Sequence, residues 1–146
     1  MYSIETDRGL IKGLNLVKSE NLYPHEDTIS SKVDLLVKYL ESFNNSVIIS
    51  SIIYCSKNMV IIDGHHRFEA LKKLGYTEIP ATAIDYFSKE IKTNHNELIS
   101  KEKIISSGLS KKFLKPKSTN HLVYCKKSKS WNPVILLSSL FKLDAI

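Results

Sequence analysis

The sequence predicts a mixed α/β (α+β) domain, and three observations carry that prediction. Apolar residues recur with helical period at Ile29, Val33, Leu36, Val37, Leu40 and Phe43. The runs SVIISSIIYC and MVIID are β-branched and apolar, as buried strands require. Helix-like and strand-like stretches then alternate along the chain, with no internal repeat and no low-complexity tail.

Taken in order, residues 9–17 read as a first strand with Leu10, Leu14 and Leu16 as its apolar positions. Pro24 punctuates the chain, Asp27 or Thr28 is placed to cap a helix, and the helical period runs from about Asp27 to Ser42 before the Asn44-Asn45 pair ends it. SVIISSIIYC and MVIID, separated by an SKN turn, form a hairpin or neighbouring strands in one sheet. The next helix buries Phe68, Leu71 and Leu74 and stops at Gly75. EIPATAIDYF reads as a strand starting at Pro80, and residues 96–107 as a helix ended by Gly108. SKKFLKPKSTNH is a basic loop and HLVYC a short strand. WNPVILLSSLFKL fits either a strand or a terminal helix begun at Pro133, and its pattern leaves both open.

The 146 residues suit one domain, and a chain 42% hydrophobic and 25% charged has the balance of a water-soluble core-forming protein. Its apolar runs are short and broken by Ser, Lys or Asn, so no membrane span is expected. MYSIETDRGLIKG lacks the basic-then-apolar order of a signal peptide. Cys55 and Cys125 lie far apart and read as reduced thiols of a cytoplasmic protein. The net charge of +6 is concentrated late in the chain. Such a face suits nucleic acid, a nucleotide or another phosphorylated small molecule. Without a recognition helix, zinc finger or aromatic RNA-binding motif, nucleic acid is the less favoured partner.

The densest chemistry lies in VIIDGHHRFEALKKLGY, residues 60–76, where an apolar run stops at Asp63-Gly64 and a helical pattern begins. A glycine at a strand-to-helix turn lets the backbone approach a ligand. The free amides of the following helix and its dipole favour an anion. Arg67 adds a fork of donors suited to phosphate oxygens, and His65 and His66 add further donors. Asp63 is a carboxylate beside this anion site, and a Mg²⁺ ion between acid and phosphate reconciles the two. The bland reading is an Asp-Gly turn with Arg67 pairing a nearby acid. Two further patches stand out. PHED places His25 and Glu26 just before a helix, where an acid also serves the dipole. KPKSTNH groups two lysines, two hydroxyls and a histidine on a loop that is otherwise a solvated basic turn. His65 and His66 are adjacent and the zincin spacing is absent, so zinc is not expected.

IIDGHHRFEALKKLGY resembles the signature of the ParB/sulfiredoxin-like superfamily, and DGHHR within it is most similar to the free L-serine kinases. YPHE, at Glu26, and KSTNH, at Lys117, Thr119 and His121, resemble two further kinase motifs in the same order, so the likeness spans residues 22–121. The resemblance implies a single domain over residues 1–146, a small mixed sheet with flanking helices. It also implies transfer of a phosphoryl group from ADP or ATP, with Mg²⁺, to the hydroxyl of free L-serine. In that reading Gly64, His65, His66, Arg67 and Lys117 hold the nucleotide, Asp63 holds the metal or acts with the base, Thr119 and His121 contact serine, and Glu26 is the base. Sulfiredoxin chemistry is not implied, because His65 stands where sulfiredoxins have a reactive cysteine. The alternative is a ParB-like, DNA-associated nucleotide switch without kinase activity, or a domain that senses serine or nucleotide without turnover.

Overall fold

The computed structural model describes residues 4–93 and 99–146. Strand β1 (Ile11–Lys18) is followed by α1 (Ser30–Glu41), β2 (Ser46–Ser50), β3 (Ile52–Cys55), β4 (Ile61–Asp63) and α2 (His65–Lys73). Then come β5 (Glu78–Ile84), β6 (Ile91–Lys92), α3 (Lys101–Ser110), β7 (Leu122–Cys125), β8 (Ser130–Pro133) and β9 (Leu140–Asp144). The central sheet has strand order β1-β5-β3-β4 and is mixed: β3 and β5 are parallel, the other neighbours antiparallel. A β2-β9 pair and a β6-β7-β8 sheet complete the fold.

The run SVIISSIIYC is continuous in sequence but divided in space at Ser51. The fully buried Ser51 donates its amide to the Ser139 carbonyl at 2.8 Å and pairs its hydroxyl with Thr82 Oγ1 at 2.7 Å. That junction sends β2 to β9 and β3 into the central sheet. β3 is buried on both faces, which is why its sequence shows no polar alternation. Ile52 and Tyr54 join the core beneath α1 and α2, with Val33, Leu40, Phe68 and Leu71. Ile53 and Cys55 point the other way, into a second core with Ile84, Tyr86, Ile104 and Val123. Met59–Asp63 closes the expected hairpin, with β4 antiparallel to β3.

Several boundaries move, each for a tertiary reason. Helix α1 begins at Ser30, later than Asp27, because residues 25–27 pair with Leu114: Asp27 donates to the Leu114 carbonyl and Leu114 to that of His25, both at 2.9 Å. Neither Asp27 nor Thr28 caps it; the Ile29 amide donates instead to His66 Nε2 at 3.0 Å. Strand β5 starts at Glu78, two residues before Pro80, through pairing with Lys18. Helix α3 is capped by Ser100, which accepts from the Lys103 amide at 3.1 Å; positions 96–98 of the expected helix lie outside the described residues. Gly108 does not end α3. It sits inside the helix, where a Cβ would meet Val60 Cγ1 at 2.8 Å, and the turn falls at Lys111, φ 59°. The last segment is neither of the single elements expected: β8, a 3-10 turn at Val134–Leu137, then β9. Among the described residues no helix is long and apolar enough to cross a membrane.

Candidate functional site

Strand β4 ends at Asp63, Gly64 turns the chain, and α2 starts at His65. Gly64 has φ +100° and ψ 27°, a left-handed conformation that glycine adopts freely. Space is equally demanding: a Cβ would lie 2.7 Å from Arg67 Nη2 and 2.8 Å from Ile52 Cγ2. Arg67 is thus folded back over the turn. Its Nη2 donates to the Ser51 carbonyl at 3.1 Å and stands 3.5 Å from Asp63 Oδ2. Its buried Nε has no hydrogen-bond partner among the described residues. The junction residue of β2 and β3 therefore also anchors the guanidinium of the corner.

Opposite the corner, the pairing of residues 25–27 with Leu114 brings Glu26 to the loop after α3. Glu26 Oε1 accepts from the Lys117 amide at 3.2 Å and Oε2 from the Thr119 amide at 3.3 Å, and Oε2 is 2.8 Å from the Thr119 hydroxyl oxygen. Lys117 adopts φ 57°, which turns the loop so that both amides face the carboxylate. Burial pushes the Glu26 carboxyl above the usual carboxylate range; hydrogen bonds donated to its ionised form by Thr119 and Lys117 oppose this, and Asp63 adds to it.

Of the residues to which the sequence assigned a site role, all but His121 line one cleft of about 540 Å³. Its mouth carries Lys32, which no sequence pattern marked, since a lysine on the first turn of an amphipathic helix reads as solvated. Asp63 is more than one-third exposed there, whereas His65 is only 5% exposed. His65 Nε2 accepts from the His25 amide at 3.1 Å and His66 Nε2 from that of Ile29. Each ring therefore carries its proton on Nδ1, so each has one donor left. For His65 that donor lies 4.0 Å from Glu26 Oε1, beyond hydrogen-bond distance.

His121 lies behind the site. It is 3% exposed, its Nε2 is 2.8 Å from the Tyr86 hydroxyl, and its ring stands 6.3 Å from that of His25. His25 is fully buried edge-on to His65, with ring centroids 4.5 Å apart. The sequence drew attention to His25 beside Glu26 but offered no role for it; the missing signal is a contact across 94 positions, 2.8 Å from Nε2 to Thr119 Oγ1.

These imidazoles make an acid-sensitive core. Burial lowers His25 to about 4, the hydrogen bond to Ile61 opposing, and lowers His121 to about 3, with His25 and Lys101 adding. His65 is lowered well below its usual value, first by burial and then by the neighbouring His25, His121, His66 and Arg67. A lowered folded pKa means the unfolded chain binds the extra protons, so stability is full above pH 6.5 and falls as the pH drops toward 4. For His25 alone the loss is roughly 3 kcal/mol. Urea denaturation at a series of pH values should show the midpoint falling through that window; a midpoint constant down to about pH 4 would refute neutral burial.

No protein-family model matches the chain. Over 93 residues it is 38% identical to a ParB-like protein of Sulfolobus acidocaldarius, covering 63% of this chain and 45% of that protein. It is 35% identical over 80 residues to an ATP-dependent L-serine kinase of Staphylothermus marinus, covering 53% of this chain and 31% of the kinase. The chain is similar to ParB-like and L-serine kinase proteins. An ADP-dependent L-serine kinase of Thermococcus kodakarensis is 30% identical over 81 residues, 52% of this chain and 32% of the kinase. The matches span less than half the length of each of these relatives.

Proposed function

We propose that the cleft is the active site of a free L-serine kinase, which transfers a phosphoryl group from ADP or ATP to the serine hydroxyl and yields O-phospho-L-serine. The observation that carries this reading is the placement of Glu26, a carboxylate with hydrogen-bonded oxygens, in the same cleft as the Gly64–Arg67 corner. The L-serine kinase relatives, both ATP- and ADP-dependent, support the choice of donor and acceptor.

The corner amides and Arg67 take the terminal phosphates of the nucleotide, and Lys32 and Lys117 add positive charge along the cleft. Phosphoryl transfer depends mainly on positioning and charge neutralisation, which this arrangement provides. Glu26 accepts the hydroxyl proton as the bond to phosphorus forms. Thr119 is the loop residue that contacts the acceptor's neighbourhood, while His121 supports it from behind through Tyr86 and His25. Asp63 is the residue that would hold Mg²⁺. A single carboxylate at the rim suits an ion shared with nucleotide phosphates and water, and the ion would neutralise phosphate charge. Among the described residues no group of three or more His, Cys, Asp or Glu forms a separate metal cage.

Phosphorus NMR of the protein with Mg²⁺, ADP or ATP, and L-serine tests this reading, with threonine, homoserine and no acceptor as parallel samples. A phosphoserine resonance that needs both serine and one donor is expected. The ParB-like relative supports a second reading, a DNA-associated nucleotide switch. Absence of product with either donor, together with duplex binding of steep salt dependence, would replace the kinase by that switch.

A further inference from the structure

Thr119 has one hydroxyl proton and stands between two acceptors. Its Oγ1 is 2.8 Å from Glu26 Oε2 and 2.8 Å from His25 Nε2. The tautomer of His25 is settled by its other nitrogen: Nδ1 is 2.6 Å from the Ile61 carbonyl oxygen, which only accepts, so Nδ1 carries hydrogen. A neutral His25 therefore meets Thr119 with a bare lone pair. Two hydrogen bonds of this length need two protons, and Thr119 supplies one. The second sits at one end, on Glu26 or on His25.

The surroundings choose the end. His25 is fully buried and Glu26 is 8% exposed, so a neutral carboxyl with a neutral imidazole is favoured over a buried ion pair. The titratable groups facing His25 are the buried rings of His65 and His121, with Lys101 beyond His121. Those facing Glu26 are His65 at 4.0 Å, His25 at 3.9 Å and Asp63. The negative charge of Asp63 works against a second carboxylate.

We propose that Thr119 and His25 are positioning residues that set the charge of Glu26: a shared proton rests on Glu26 Oε2 and is withdrawn through Thr119 to His25 Nε2 when the carboxylate is needed. The Glu26 Oε2–H bond breaks as a Thr119 Oγ1–H bond forms, and the original Thr119 Oγ1–H bond breaks as a His25 Nε2–H bond forms. One proton moves from Glu26 to His25 and nothing else is consumed. The freed carboxylate then accepts the proton of the substrate hydroxyl. That last step rests on the kinase reading; the resting proton and its path do not.

NMR of the resting protein, with ¹³C-labelled glutamate and ¹⁵N-labelled histidine, separates the two. At about pH 6, well above the ordinary carboxylate value, Glu26 should show the shift of a protonated carboxyl and His25 that of a neutral Nδ1–H ring. The His25 Nε2 resonance should move in step with the Glu26 titration. In Thr119→Val the protonated carboxyl loses its acceptor, so the Glu26 midpoint should fall by about one unit and the coupled His25 shift should vanish. Thr119→Ser should restore both. A Thr119 that merely donates to a Glu26 carboxylate gives the opposite sign, because its removal raises the midpoint. A raised or unchanged midpoint in Thr119→Val, or an ionised Glu26 in the wild-type protein at about pH 6, overturns the proposal. None of these readouts needs turnover, so a protein that proves not to phosphorylate serine leaves the proton assignment standing or falling alone.

Discussion

Glu26→Gln is expected to slow phosphoryl transfer by about 10²- to 10⁴-fold, the usual worth of a positioned general base, while nucleotide affinity changes little. The side chain keeps its length and planarity, so nothing in its buried setting is forced to move. Its carboxamide oxygen still accepts one of the two amides, from Lys117 or Thr119. The other amide then faces an NH₂ group, a loss of about 1 kcal/mol that should appear as a slightly lower urea midpoint. The Gly64–Arg67 corner, the proposed phosphate site, lies across the cleft and keeps its Arg67–Ser51 anchor. Rate measured by phosphoserine formation and affinity measured by calorimetry with ADP and ATP therefore separate the base from the nucleotide site. Full turnover in Glu26→Gln would remove Glu26 from the chemistry and leave the corner as a binding site only.

Gly64→Ala should have the largest effect on binding. The residue must hold φ +100°, which a side chain resists, at a cost of about 1–3 kcal/mol. The new methyl would also stand 2.7 Å from Arg67 Nη2 and 2.8 Å from Ile52 Cγ2. Ile52 is fixed in the core of the central strand, so Arg67 is the group that yields. Its hydrogen bond to Ser51 is then lost, and with it the guanidinium position that the proposed phosphate site requires. We expect a lower denaturation midpoint and loss of calorimetric nucleotide binding together. Gly9→Ala is the control: Gly9 has φ +92°, but the nearest atom to its Cβ is the flexible Lys12 Nζ at 4.0 Å. That variant should lose stability without losing nucleotide. Equal affinity in Gly64→Ala and the wild-type protein would show that the corner does not hold the phosphates.

Much of this site was legible because its parts are local. The strand-to-helix corner combines a buried β-branched run, a glycine and a helical period within a dozen residues, and each signal acts over one or two turns of chain. The same holds for α2, whose apolar spacing and Gly75 stop agree with the structure. Glu26 and KSTNH were also visible, as residue types unusual for their surroundings, but only as separate patches. His25 and Lys32 were not assigned roles. A histidine before a helix and a lysine on its first turn are ordinary in sequence, and only their partners make them otherwise.

The sequence by itself determined the mixed α/β character, the positions of the principal strands and helices, and the chemistry of the corner, because periodicity and glycine conformation are properties of neighbouring residues. Tertiary structure decided where those elements stop and which of them meet. Ser51 divides one apolar run between two sheets because its hydrogen bonds go to Thr82 and Ser139. Gly108 lies within a helix at a point where Val60 leaves no room for a side chain. Glu26 faces the corner because the chain before α1 pairs with Leu114, and Thr119 comes to share its hydrogen bonds with both Glu26 and His25. Backbone pairing and close packing between residues far apart in the chain place these groups, and no local pattern encodes that distance.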